Sequence, residues 1–240
     1  MKSKTIFAAA VAASLYPAAA LAHGVSTIYS PYVHEGEAAI EVKGSYKINE
    51  EDSGEDTFAA EMTAGYGLTH FWQMEAGAEL EHNDEEDTRV TALVWENKFQ
   101  LAPEGTLFVD PGLKIEYAKS LTGKADEVLA RLLLAKRIGK FTNLSNINFG
   151  REVGEDSSGD WEYGFSYGLS YDHSDTFSYG LEWHSDFGDF EGDYSEQEHR
   201  IGPAVYGQLA EGMPFEAGVL FGVSEHAPDA ELKAVIEYEF

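Results

Sequence analysis

A histidine and a carboxylate two residues apart could carry out acid–base chemistry in this sequence. In an extended strand, Glu182 and His184 point to the same face. A histidine oriented by a carboxylate can activate a serine hydroxyl, and Ser185 and Ser195 lie nearby along the chain. An antiparallel hairpin would place Arg200 opposite His184. No spacing fixes a hydroxyl on the imidazole, so the pattern favours a hydrogen-bonded network over a hydrolase.

Histidines also occur beside carboxylates in the acidic segments, where the two side-chain types could hold a divalent cation. Four of the eight histidines lie there: His82, His184, His199 and His226. Their spacing defines no ligand set, so His184 and His199 are weak candidates for a metal site. Diffuse binding of Ca²⁺ or Mg²⁺ by the acidic segment 186–198 is the favoured alternative. No cofactor is expected.

The composition excludes several classes of function. The 240 residues include 43 acidic and 16 basic side chains, which give a formal net charge of −27 at pH 7. Such a surface repels phosphates, so nucleic-acid binding is excluded. Because cysteine is absent, disulfides, thiolate metal sites and cysteine nucleophiles are excluded too. The aromatic content of 13% and the 24 glycines indicate an ordered, strand-rich chain.

The first 22 residues have the pattern of a secretory signal peptide. Two lysines precede an apolar run at 6–15, and Ala20-Leu21-Ala22 forms a small-residue cleavage site. The run is shorter than the roughly 20 apolar residues that a membrane-spanning helix needs. We therefore expect export through a cleaved signal peptide, with a mature chain that begins at His23.

Alternation of large apolar residues with small or polar ones follows the signal peptide and predicts strands with two different faces. Segment 161–171, WEYGFSYGLSY, alternates six large side chains with glutamate, glycine and serine. A large apolar face opposite a small polar face fits a wall between lipid and a polar interior. The predicted strands number twelve: 37–48, 57–67, 71–82, 89–101, 107–118, 127–137, 141–152, 161–171, 176–184, 199–209, 214–223 and 231–240.

The predicted connections distinguish two ends of such a sheet. Those at 67–70, 102–106, 172–175 and 210–213 are short, whereas most of the others are longer and acidic. This asymmetry predicts an all-β fold, a closed antiparallel transmembrane β-barrel of about twelve strands. Ten strands remain an alternative, because segment 141–152 alternates poorly. Pro111 and Pro203 lie inside predicted strands and predict bulges.

The end of the chain must close this barrel, because unpaired backbone groups in hydrocarbon cost several kcal/mol each. The last strand alternates and ends on an aromatic residue: Leu232, Ala234, Ile236, Tyr238 and Phe240. Here the sequence resembles Gram-negative outer-membrane β-barrel proteins, and segment 201–229 is similar to the closing hairpins of small porin-like proteins. The resemblance implies an outer-membrane location, contact with lipid and lipopolysaccharide, and recognition of Tyr238 and Phe240 by the barrel-assembly machinery.

Three regions follow from these patterns: a signal peptide at 1–22, a periplasmic leader or lumen plug at 23–36, and the barrel at 37–240. The alternation also predicts which residues face inward, and acids outnumber bases among them. The predicted lumen-lining residues are Glu41, Lys43, Glu61, Glu75, Glu79, Glu81, Glu96, Lys98, Asp110, Lys114, Glu116, Arg131, Glu162, Glu182, His184, Arg200, Glu216 and Lys233.

An acidic lumen concentrates cations and excludes anions. We therefore expect a narrow, mildly cation-selective passive channel or transporter for small cationic or neutral solutes, without enzymatic activity. Two alternatives remain. The inward charges could pair across strands and fill a closed structural barrel, or the barrel could be an outer-membrane hydrolase built around His184.

Overall fold

The computed structural model describes residues 24–49, 56–83, 86–155, 157–189 and 197–240. The predicted signal peptide lies outside these residues. Twelve strands and no helix occur in the described chain, which confirms the predicted all-β class. The strands are β1 Ala38–Ile48, β2 Thr57–Thr69, β3 Trp72–Asn83, β4 Glu86–Gln100, β5 Asp110–Ser120, β6 Asp126–Ile138, β7 Phe141–Val153, β8 Trp161–Ser174, β9 Phe177–Asp189, β10 Glu198–Ala210, β11 Met213–Gly222 and β12 Ala230–Glu239.

Within the part of the chain that the structure describes, no helix is long and apolar enough to cross a membrane.

Each strand pairs antiparallel with its neighbours in the chain, and β1 pairs with β12 to close the barrel. The closing register runs from Ala39 opposite Glu239 to Ile48 opposite Ala230. Two further hydrogen bonds, from Phe240 N to Ala38 O at 2.8 Å and from Ala38 N to Phe240 O at 3.3 Å, extend the pairing to Phe240. The predicted closed barrel is thus confirmed, and its strand number is twelve rather than ten.

The two faces of the strands differ as predicted. Large apolar side chains are exposed on the outer surface along the strands, as at Met62, Leu93 and Leu181. Charged side chains are buried on the inner face, as at Lys114 and Glu182. This distribution inverts that of a soluble protein and suits a barrel with hydrocarbon around it.

The connections divide the barrel into two ends. The turn end carries the connections 70–71, 101–109, 139–140, 175–176 and 211–212, together with the C-terminus. The loop end carries the connections 49–56, 84–85, 121–125, 154–160, 190–197 and 223–229.

The predicted bulges at the two strand prolines are wrong, since Pro111 pairs with Leu134 and Pro203 with Leu181 in unshifted register. Pro111 lies just past the last pair between β4 and β5, so its missing N–H breaks no bond there. The ladder between β10 and β11 lacks pairs at 202–203, which accommodates Pro203 in the same way.

Candidate functional site

Residues 24–36, hereafter the lumen segment, lead into β1. Residues 25–33 lie inside the barrel and contact inward side chains, whereas the exposed residues 34–36 lie at the turn end. Near the loop end, Ser26 Oγ donates a hydrogen bond of 2.8 Å to Glu231 Oε2. Lys233 Nζ donates one of 2.9 Å to Ser26 O. Both strand residues belong to β12, so the start of the lumen segment is attached beside the closing seam of the barrel.

The other end of the lumen segment lies at the turn end. Tyr32 Oη donates to Asp110 Oδ2 at 3.0 Å, and Val33 N donates to Gln100 Oε1 at 3.0 Å. Burial and the hydrogen bond to Asp110 raise the pKa of Tyr32 to about 12, so its phenol stays protonated. The segment therefore runs from the loop half of the lumen to the turn end, where β1 begins.

Backbone contacts fix the middle of the lumen segment. Asn146 accepts a hydrogen bond from Tyr29 N at 2.7 Å and donates one to Tyr29 O at 2.9 Å. Pro31 packs so closely that a Cβ on Gly112 would lie 2.6 Å from its Cβ. The absent side chain at Gly112 thus makes room for the segment.

The side chain of Tyr29 lies among three cations from three strands. Lys43 Nζ donates to Tyr29 Oη at 2.9 Å, and Lys114 Nζ lies 3.6 Å from the ring centroid. The guanidinium carbon of Arg131 lies 5.3 Å from the same centroid. Burial raises the pKa of Tyr29, so its neutral phenol accepts the bond from Lys43. The cation–π contacts add to this hydrogen bond.

Each of these three cations also pairs with carboxylates. Lys43 Nζ lies 2.9 Å from Glu61 Oε1 and 3.4 Å from Glu41 Oε1. Lys114 Nζ lies 2.7 Å from Glu96 Oε2. Arg131 donates a hydrogen bond to Glu116. Seven of the predicted lumen residues therefore form one charged network around Tyr29: Glu41, Lys43, Glu61, Glu96, Lys114, Glu116 and Arg131.

A second network joins the strands on the opposite wall. Lys233 Nζ pairs with both Glu182 and Glu216. Tyr206 Oη donates to Glu182 Oε1 at 2.6 Å, and His184 Nε2 lies 2.8 Å from Glu182 Oε2. Glu182 thus has three partners and is almost completely buried.

Arg200 faces His184 in the register between β9 and β10, as predicted, and it pairs with Glu231. The serine expected of a hydrolase is not placed on His184. Instead, Ser185 Oγ lies 2.9 Å from His199 Nδ1. Ser195 lies outside the described residues.

The remaining predicted lumen residues lie on the inner face of the strands. Glu75 accepts a hydrogen bond from Gln73 at 2.8 Å. Lys98 stands opposite both Gln73 and Lys114 in register. The residues of this group are Glu75, Glu81, Lys98 and Glu162.

Three residues that hold the networks or the lumen segment were not predicted from the sequence. Glu231 is fully buried in the second network, and its spacing of two from Lys233 is the signal that could have identified it. Asn146 lies in the poorly alternating segment of β7. Tyr29 lies outside every strand pattern, so nothing local indicated its position.

A cavity of about 610 Å³ opens at the loop end above these networks. Tyr29 and Arg131 line its inner part, and Glu79, Glu127 and Asp186 line its walls. Carboxylates outnumber permanent cations among the lining residues, so the entrance from the loop end is acidic.

The candidate metal ligands do not meet in this cavity. His184 contacts Glu182, whereas His199 contacts Ser185. Among the described residues, one group of three possible ligands lies within metal-binding distance, and it is at the turn end: Glu37, Glu237 and Glu239. Most of the acidic segment 186–198, which was predicted to bind Ca²⁺ or Mg²⁺, lies outside the described residues.

No protein-family model matches the sequence, and no curated protein matches it. Solved structures do match. An outer membrane channel from Pseudomonas putida F1 aligns with a TM-score of 0.65 at 11% identity, covering 87% of this chain and 97% of that chain. The translocator domain of the autotransporter NalP from Neisseria meningitidis aligns with a TM-score of 0.53 at 10% identity, covering 86% and 89%. At these identities the likeness concerns the fold alone, which is a closed antiparallel β-barrel.

Proposed function

We propose that this protein is an outer-membrane channel for small cationic or neutral solutes, closed in the present conformation by the lumen segment. Export through a cleaved signal peptide delivers the chain, and lipid and lipopolysaccharide surround the finished barrel. The apolar outer face and the fold of the matching structures support this location.

The attachment of the lumen segment is the observation that carries the proposal. Hydrogen bonds and cation–π contacts hold it, and each can break and re-form without unfolding a strand. An intramolecular hydrogen bond stabilises by about 1 kcal/mol net. Eight of them join residues 25–33 of the lumen segment to the barrel in the described chain, so the closed state dominates although each contact is reversible. The strands themselves stay closed through their own register.

The charges of the lumen support cation preference. Once the segment leaves, Lys43, Lys114 and Arg131 keep carboxylate partners on adjacent strands. Glu79 and Glu127, which have no ion pair within the described chain, then set the sign of the field near the loop end, and a narrow acidic opening attracts cations.

Conductance in planar bilayers tests this proposal. The refolded chain is compared with a variant that lacks residues 24–33, and the reversal potential is measured in a KCl gradient. We expect small or rare openings for the intact chain, large steady openings for the deletion variant, and K⁺ preference over Cl⁻. Asn143→Ala serves as the control, because Asn143 bonds Tyr167 and Lys136 rather than the lumen segment.

A closed structural barrel is the second candidate function. Pairing of the buried cations Lys43, Lys114 and Lys233 with carboxylates favours it, because such pairs fill the interior of small barrels. A folded deletion variant that stays silent would support this candidate and overturn the channel. Preference for Cl⁻ would overturn the proposed selectivity.

A further inference from the structure

One wall of the loop-end cavity has two carboxylates separated by methyl groups. Glu79 on β3 stands opposite Ala92 on β4, and Ala118 on β5 stands opposite Glu127 on β6. All four residues line the cavity, and both alanines are buried. Adjacent strands are about 4.8 Å apart and Ala92 is offset by two residues from Ala118 in register, so the backbones of Glu79 and Glu127 are roughly 16 Å apart along the wall.

Within the described chain, neither carboxylate at the ends of this wall has a hydrogen-bond or ion-pair partner. Among the described side chains, none forms a hydrogen bond or an ion pair with Glu79 or Glu127, whereas neighbouring Glu61 and Glu116 pair with lysine and arginine. Glu79 also stands directly opposite Glu61, and Glu127 opposite Glu152. Like charges in such positions destabilise a sheet, so an external cation would relieve the repulsion.

The cations that line the same cavity pair with other carboxylates, stand opposite them in register or lie in an exposed connection. Arg131 pairs with Glu116, and Arg200 pairs with Glu231. Arg89 stands in register with Glu81, and Lys124 lies in the exposed connection between β5 and β6.

A bulge supplies an independent indication of a ligand. The register between β3 and β4 shifts between Glu79 and Leu80, which leaves Thr91 as an extra residue. Thr91 lines the cavity at 8% exposure, and its hydroxyl has no hydrogen-bond partner among the described residues. Bulges commonly turn a side chain toward a binding site. On the far wall, Asp186 is 5% exposed and its Oδ2 likewise lacks a partner.

The arrangement does not suit a single metal ion. Calcium takes six to eight oxygens at about 2.3–2.6 Å, but no three possible ligands converge in the described part of this cavity. The volume of 610 Å³ also far exceeds the roughly 30 Å³ of one water molecule. Separated charges with an apolar stretch between them instead match an elongated dication.

We propose that this wall binds a linear aliphatic diamine or polyamine. One ammonium group pairs with Glu79, another pairs with Glu127, and the methylene chain lies on Ala92 and Ala118. The Thr91 hydroxyl accepts a hydrogen bond from the ammonium group that pairs with Glu79. That the polyamine is also the solute transported by the channel rests on the proposed function. Binding of the polyamine to this wall does not depend on transport.

Isothermal titration of the refolded chain in zwitterionic detergent tests the binding. The probes are 1,5-diaminopentane, spermidine, 1-aminopentane and MgCl₂, each in 100 mM NaCl, which screens diffuse attraction over about 10 Å. We expect the diamine and spermidine to bind at least tenfold more tightly than the monoamine and Mg²⁺. Glu79→Gln and Glu127→Gln should each weaken diamine binding about tenfold or more and leave monoamine binding within about threefold.

Glu239→Gln is the matched control, because it removes an acid at the turn end, away from the cavity. Circular dichroism and resistance to unfolding in cold SDS confirm that each variant is folded. Equal diamine affinity in the folded wild type and both cavity variants would overturn the inference, as would Mg²⁺ binding as tightly as the diamine. Binding without conductance would refute the proposed channel alone, and conductance without binding would refute the polyamine site alone.

Discussion

The ammonium group of Lys114 lies 3.6 Å from the centroid of the Tyr29 ring, so a strand residue holds the middle of the lumen segment by its aromatic face. The same ammonium pairs with Glu96 at 2.7 Å. Because Lys114 is buried, both contacts act where water does not compete. A substitution of Tyr29 can therefore weaken closure of the lumen without preventing the barrel from folding.

Substitutions at Tyr29 should change closure in proportion to the contacts that they remove. Tyr29→Phe loses the hydrogen bond from Lys43 but keeps the ring, whereas Tyr29→Leu loses both. We expect the open fraction in planar bilayers to rise slightly for phenylalanine and strongly for leucine, since a desolvated cation–π contact is worth about 2 kcal/mol. Equal open fractions for both variants would show that the ring contact does not control closure.

Removing a buried cation from the second network should destabilise the barrel. Lys233→Met leaves Glu182 and Glu216 without their shared partner. Breaking one side of a buried pair typically costs about 3–5 kcal/mol. Guanidinium unfolding in detergent, followed by tryptophan fluorescence, should therefore show a clearly lower midpoint.

A surface pair provides the control for this substitution. Lys119 pairs with Asp126 at 2.9 Å, but its side chain is 57% exposed. Lys119→Met should cost no more than about 1 kcal/mol. A Lys233→Met midpoint as close to wild type as that of Lys119→Met would contradict a structural role for the second network.

The local pattern of the sequence was sufficient for the twelve strands of the closed barrel. Strand alternation has a period of two, so it fixes the face of each residue without knowledge of its partner. The pair of Lys43 and Glu61 follows as soon as β1 and β2 are in register, since the two residues are directly opposite.

Contacts across the lumen could not be predicted from strand alternation. Lys233 on β12 reaches Glu182 on β9, three strands away, which requires the curvature of the closed wall. Tyr29 meets Asn146 across 117 residues, and Ser26 meets Glu231 across 205. The lumen segment has no periodicity, so its sequence left a leader and a plug equally open.

A glycine in β3 should be essential for assembly of the wall. A Cβ on Gly77 would lie 2.0 Å from the carbonyl oxygen of Met62 and 2.8 Å from Thr63 Cα, both of which are backbone atoms. Side-chain rotation cannot relieve this clash, and overpacking of this kind costs typically about 1–3 kcal/mol. We expect Gly77→Ala to lower the refolded yield and the unfolding midpoint.

Gly44 in β1 is the matched control, because its nearest neighbours would lie 3.8 Å from a Cβ, at ordinary contact distance. Gly44→Ala should therefore refold like the wild type. If Gly77→Ala refolds as well as Gly44→Ala, the close approach of β2 and β3 at this position is not required for the fold.

The last residue should matter for assembly in cells more than for stability. The Phe240 side chain is 68% exposed and stacks on Tyr238 at 5.8 Å, while the Phe240 backbone closes the barrel against Ala38. Phe240→Ala keeps that backbone pairing, so it should lower stability in detergent by only about 1 kcal/mol. If the assembly machinery reads the terminal aromatic residue, the amount of folded barrel in outer membranes should fall several-fold.

Phe221→Ala removes an aromatic side chain of β11 that is 52% exposed, and it should leave that amount unchanged. Quantifying the heat-modifiable band in membrane fractions compares the two variants, and an equal loss for both would assign the effect to general packing rather than to a terminal signal.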